Sequence, residues 1–223
     1  MPAAFSREDV PMLRRVRPAL LVTALALPCL ANAFTVTISP GPRAIYLRVG
    51  TGGYNGTPYS SDEDTLQANT TVNMVSLAIP AAQVGNGTDL AMAVNGGTPQ
   101  QISHWDNYLF CNPNQVYIGF FYRLPRRESG TATLTVTTPP SLGNGLGDAI
   151  PIDQIRWTTS GNSDGAGTTQ PVPAGSFNGG VQTLATFGDN SWRESCMSFF
   201  YANDAVVPAG TYTGRATYTL TAP

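Results

Sequence analysis

His104, in the stretch Ser103-His104-Trp105-Asp106-Asn107-Tyr108, is the single histidine of a 223-residue chain. A Ser-His-Asp hydrolase would have to use it as base, with a serine and an orienting carboxylate brought to it by the fold. No set of His and Cys ligands for zinc can be assembled around it. The acidic run Asp62-Glu63-Asp64 and the stretch "GNSDGAG" lack the ligand spacing of a calcium loop. "GNGLGD" has no helix pattern after it, so it does not read as a phosphate-binding loop. The carboxylates nominate no pair spaced for glycoside hydrolysis. The expectation is therefore a non-catalytic chain with no metal and no cofactor. Trp105 and Tyr108, with Trp157 and Trp192, are the aromatics able to stack on a glycan. The competing use of such residues is core packing, where their large apolar area counts most. Asn55, Asn69 and Asn86 match the N-glycosylation acceptor but read as turn residues in an Asn- and Thr-rich chain.

What must position these groups follows from the rest of the chain. Residues 1–33 read as a secretory signal peptide. Arg14, Arg15 and Arg17 form a basic start, the run from Ala19 to Leu30 is apolar, and Ala31-Asn32-Ala33 supplies the small-residue cleavage site. Met12, directly before the basic stretch, offers an alternative start. The apolar run is short for a membrane span. Cys29 lies within it and is discarded with it. After cleavage Cys111 and Cys196 remain, and an even pair in an exported chain predicts one disulfide, the alternative being two buried free thiols. From Phe34 onward eight arginines stand against twelve carboxylates, and lysine is absent. Mild acidity argues against a nucleic-acid or anionic-membrane partner.

Period-2 alternation recurs and helical spacing does not. "FTVTIS" alternates Phe34, Val36 and Ile38; "RAIYLRV" alternates Ile45, Leu47 and Val49; "VSLAI" alternates Val75, Leu77 and Ile79; "TATLTVTT" alternates Ala132, Leu134 and Val136. "VYIGFFY" and "CMSFFY" are apolar on both faces, which predicts central strands. "IPIDQIRW" and "VQTLATF" add two more, and the closing stretch brings the count to roughly nine by the alternation rule. Turn stretches rich in Gly, Asn and Pro join them. The fold class expected is all-β, a sandwich of antiparallel strands. The linker-like "TTPPSLGNGLGD" lies between the two cysteines, so a disulfide would join its two sides. One domain is expected over 42–223, preceded by an N-terminal strand over 34–41.

The tail "PAGTYTGRATYTLTAP" places Tyr212, Gly214, Ala216, Tyr218 and Leu220 on one face and threonines on the other. In Gly210, Tyr212, Gly214 and Tyr218 it resembles the closing strand of chaperone–usher pilus subunits, the spore-coat-U-like branch among them. The alternating strand that opens the mature chain agrees. The resemblance covers the two ends of the chain and hardly the middle. The chain departs from the pattern at Ala222, where many pilins carry an aromatic, and its donor-like stretch has only three alternating apolar residues before Pro40.

That resemblance implies an immunoglobulin-like sandwich lacking its last strand. A groove would lie beside the strand of Tyr212, Gly214, Ala216, Tyr218 and Leu220. Phe34, Val36 and Ile38 of a neighbour would fill it, satisfying the backbone groups of an open edge. It also implies a periplasmic chaperone, an outer-membrane usher and like subunits as partners. The location implied is the periplasm in transit and then a surface fimbrium. The rival expectation is a self-complete sandwich acting as a secreted or tip-located carbohydrate-binding module through Trp105 and Tyr108. An exported hydrolase is the weakest third reading.

Overall fold

The computed structural model describes residues 35–50, 73–95, 101–162, 164–165 and 167–223. Residues 1–34, the acidic run at 62–64 and the sequons at Asn55 and Asn69 lie outside the described residues. In chain order the strands are β1 (Thr35–Thr37), β2 (Ala44–Val49), β3 (Met74–Ser76), β4 (Leu90–Ala91), β5 (Ala93–Asn95), β6 (Val116–Arg123) and β7 (Thr131–Thr137). They continue as β8 (Ser141–Gly143), β9 (Ala149–Pro151), β10 (Ile155–Ser160), β11 (Gly175–Ser176), β12 (Val181–Gly188), β13 (Ser191–Tyr201) and β14 (Thr217–Thr221). The only helices among the described residues are single 3-10 turns at Ala81–Gln83 and Ile152–Gln154. No helix among the described residues is long and apolar enough to cross a membrane.

The fold is all-β and antiparallel, and it forms a sandwich. The larger sheet runs β11-β10-β13-β6-β2, with β1 and β4 added along β13. The smaller runs β12-β7-β14. Between them lies the main core, where Ile118, Phe120 and Tyr122 of β6 and Met197, Phe199 and Tyr201 of β13 meet Ala132, Leu134 and Val136 of β7. Leu184, Phe187 and Leu220 close it from the flanking strands. This core joins residues from both sides of the 137–148 stretch.

β6 is buried along its whole length, as its two apolar faces require. β13 is likewise central but begins at Ser191, well before the run "CMSFFY". "IPIDQIRW" does not form one strand; it divides into the end of β9, a 3-10 turn and β10. Pro151 has no amide to give a ladder, so the ladder breaks there. β12 carries a register shift between Thr183 and Ala185. Many strands are two or three residues long, which is why there are more of them than alternation alone reveals.

β2 departs most from its pattern. Leu47 and Val49 pack toward the main core as expected, yet Ile45 is 37% exposed while Tyr46, on the opposite face, is fully buried. The reason is that the outer face of the larger sheet is covered too. The segment 101–112 crosses it, and the Cys111–Cys196 disulfide fixes that segment to β13. Phe110, Tyr117 and both cysteines form one small cluster beneath it; Ile38, Tyr46, Phe121 and Trp192 form another.

The bridge spans 85 residues, a loop whose closure removes about 4–5 kcal/mol of unfolded-state freedom in the chain-entropy model. A Cys111→Ala/Cys196→Ala chain is expected to lose stability of that order in urea titration. Non-reducing peptide mapping of the parent chain should recover the two cysteine peptides as one.

Candidate functional site

Two regions gather the residues singled out in the sequence. The first is the pair of chain-end strands. β14 pairs with β7 from Thr217↔Thr137 to Thr221↔Thr133. Leu220 is buried, Tyr218 and Ala216 pack against the main core, and the threonines of the strand are exposed. The other edge of β14 pairs with no strand among the described residues. β2, an edge of the larger sheet, approaches it across the sandwich without a ladder.

The strand is shorter than the alternation predicts. Tyr212, Gly214 and Ala216 precede it, in a segment whose one bridge is Thr213 with Gly143. That segment crosses the β8–β9 hairpin. A Cβ on Gly214 would stand 2.6 Å from Leu142 Cδ2, so a larger residue there would have to push the leucine side chain aside. Tyr212 Oη donates to the Pro208 carbonyl at 2.9 Å.

Val36 and Ile38 lie far from β14 in the topology. β1 pairs with β13, Val36 opposite Trp192, and the Ile38 amide donates to the Asn190 carbonyl at 2.9 Å. Ile38 is buried against Tyr46, Phe121 and Trp192, with Val36 half-buried beside them. The site exists because β13 is long. β10 occupies that edge only from Cys196 to Tyr201, leaving Ser191–Arg193 for β1. Phe34 is outside the described residues.

The second region is the covered outer face. Arg48, Gly119 and Glu194 stand opposite one another across β2, β6 and β13. Tyr117 folds back over Gly119, where a Cβ would collide with its hydroxyl. That hydroxyl donates to Glu194 Oε2 at 2.6 Å. His104 lies above Arg48 and Tyr46. The Arg48 guanidinium can only donate, at 2.5 Å to Nε2, so Nδ1 carries the ring proton toward the Tyr46 oxygen at 2.8 Å. The ring is held between these two partners. Burial pushes the Glu194 carboxyl above the ordinary carboxylate range, against the smaller opposing hydrogen bond of Tyr117, and its Oε1 is buried with no hydrogen-bond partner among the described residues. Burial first, then the nearby Glu194 carboxylate, pushes the Tyr117 phenol well up.

Sequence reasoning singled out His104 but missed Tyr46, Arg48, Tyr117 and Glu194 beside it. Their signal was faint: Tyr46 and Arg48 alternate with the apolar face of "RAIYLRV", Tyr117 stands in a run apolar on both faces, and Glu194 precedes the run "CMSFFY". Trp105 turns toward Trp192, ring centroids 6.0 Å apart, whereas Tyr108 is 48% exposed. Asn86 sits in a bend, its side-chain oxygen accepting from the Thr88 amide and from Asn203. No group of three His, Cys, Asp or Glu poised for a metal occurs among the described residues. The chain matches no family model, no curated protein and no solved structure.

A carboxyl whose folded pKa is raised binds more protons in the native than in the unfolded chain across the gap between the two values. Stability falls as pH rises through that interval and then levels off. Glu194→Gln retains an acceptor for Tyr117 but no ionisation. Its stability relative to the parent should grow from pH 4 to pH 8 in urea titrations; a gap that does not change with pH would contradict the assignment.

Proposed function

We propose that the chain is a non-catalytic structural subunit of an exported bacterial surface fibre, joined to its neighbours by strand addition. The observation that carries this reading is the outer edge of β14. Natural sheets blunt exposed edges with charge, proline, bulges or brevity. β12, the other edge of the smaller sheet, has its bulge at Thr183/Ala185, and β11 is two residues long. β14 is five residues of alternating Thr, Tyr and Leu with regular register, no charge and no bulge. Such an edge offers unpaired amides and carbonyls to an incoming strand. A head-to-tail contact of this kind does not close and so propagates a fibre.

The donor in this reading is Phe34, Val36 and Ile38 of a neighbour, fitting an immunoglobulin-like sandwich that lacks one strand. Burial of each donor side chain contributes on the order of 1.5–3 kcal/mol. Donation requires β1 to leave its place on β13, which a chaperone and usher would accompany. Engagement of both His104 ring nitrogens by Arg48 and Tyr46 supports a packing rather than a catalytic use of that residue. One observation favours the second reading, the self-complete carbohydrate-binding module: β1 already fills an edge of its own sheet.

Val36→Asp separates the two. It places an unpaired carboxylate among apolar groups wherever β1 is buried, at a cost of several kcal/mol. Expressed with its native secretion partners, the variant should give folded monomer and no high-mass surface polymer. Normal polymer would refute donation through this strand, and loss of the folded monomer would favour the self-complete module. The exported form should read Phe-Thr-Val-Thr-Ile on N-terminal sequencing, as cleavage after Ala33 requires.

A further inference from the structure

The two ends of the sandwich carry opposite charge. One end holds the β6–β7 turn, the β12–β13 turn and the entry to β2. Arg43, Arg123, Arg126 and Arg127 gather there against Glu128 and Asp189. Arg43 bonds Glu128 at 2.9 Å, and the Arg123 Nε donates to the Pro42 carbonyl, so the turn residues Arg126 and Arg127 are the ones projecting into solvent. The opposite end holds the β8–β9 hairpin, the turn before β10 and the loop after β13. Asp89, Asp148, Asp153 and Asp204 stand there against Arg156 and Arg215. Asp89 and Asp204 share Arg156, which leaves Asp148 and Asp153 exposed, with Arg215 as the one exposed cation there outside an ion pair among the described residues.

β6 and β13, 8 and 11 residues long, separate the ends by roughly 30 Å at about 3.3 Å per residue. This exceeds the screening length of about 8 Å at physiological salt, so the ends do not neutralise one another within a copy. The acidic end also bears the most exposed large apolar side chains among the described residues. Leu146 at the hairpin tip is 86% exposed and Val206 in the neighbouring loop 80%. The tip is held in shape by Asn144, whose side-chain oxygen accepts from the Leu146 and Asp148 amides. The Thr213–Gly143 bridge ties hairpin to loop. Apolar side chains rimmed by charge have the make-up of an interface.

We propose that this acidic, apolar-tipped end docks on the arginine-bearing end of a second copy of this chain, end to end. Complementary charge sets the orientation of such a contact and disfavours like ends meeting. The contact joins two different surfaces, so it repeats along a line. It goes beyond strand addition and holds whether or not a strand is also exchanged.

The test uses the exported chain and two charge-reversed variants, Arg126→Glu/Arg127→Glu and Asp148→Lys/Asp153→Lys. All four positions are exposed, and circular dichroism and thermal melting check that each variant folds as the parent does. Sedimentation equilibrium at 20 mM and 500 mM NaCl gives the mass of each. The parent should self-associate at low salt and approach monomer at high salt. Each variant alone should associate at least about tenfold more weakly. An equimolar mixture should recover the parent's association, because each variant then meets the opposite charge. A monomeric parent at low salt, variants that associate like the parent, or a mixture no better than its parts would each overturn the proposal. Polymer that persists at 500 mM NaCl and is lost in Val36→Asp reports strand addition instead, so the two contacts fail separately.

Discussion

β13 has two edges and two faces, and all four are occupied. Along one edge lie β6 and β4, along the other β10 and β1. One face builds the core between the sheets through Met197, Phe199 and Tyr201. The other carries Trp192, Glu194 and Cys196 beneath the 101–112 segment. A strand in this position has little solvent-facing surface, its residues being buried or at most half-buried, so a polar side chain on it needs a partner within the protein. That explains why Glu194, fully buried, is answered by Tyr117, and why Gly119 must leave room for the tyrosine to reach it. It also explains why the disulfide is placed here. Cys196 is the anchor through which the chain fixes a segment without regular structure over an otherwise exposed sheet face.

The cover over that face separates this molecule from a plain two-layer sandwich. In a two-layer sandwich the outer faces are wet and alternate residues are polar. Here the outer-face positions of β2, β6 and β13 include Tyr46, Tyr117, Phe121 and Trp192, all buried. Tyr46, Phe121 and Trp192 stack against one another at centroid distances of 5.0 to 5.8 Å. His104 sealed in with them is held between Arg48 and Tyr46, and Glu194 accepts from Tyr117 through one oxygen, while its other, Oε1, is buried with no hydrogen-bond partner among the described residues. A buried polar group left unpaired costs on the order of 1–3 kcal/mol, so each of these pairings offsets a real penalty.

The smaller sheet is handled differently at its two margins. A register shift interrupts β12, and a bulge of this kind twists an edge away from further pairing. β14 keeps its ladder regular to Thr221 and places threonines outward. The smaller sheet thus has one interrupted margin and one regular one, and β14, like β2 in the larger sheet, ends its sheet with an edge that pairs with no strand among the described residues.

Alternation and turn composition determined the all-β class and located most of the strands, because a pleated strand with one buried face must repeat every two residues. The central positions of β6 and β13 were legible for the same reason: apolar residues on both faces require cover on both. The pairing of Cys111 with Cys196 followed from there being two cysteines beyond the expected cleavage site. What covered the second face was not legible, since segment 101–112 has no period and its position depends on a bond 85 residues away in sequence. The partners of His104 were hidden likewise. Tyr46, Arg48, Tyr117 and Glu194 lie in three strands, and only the register of β2, β6 and β13 sets them side by side. The place of β1 was also a tertiary decision. Its alternation suits any edge with apolar neighbours, and the length of edge that β10 leaves open on β13 decides where it lies.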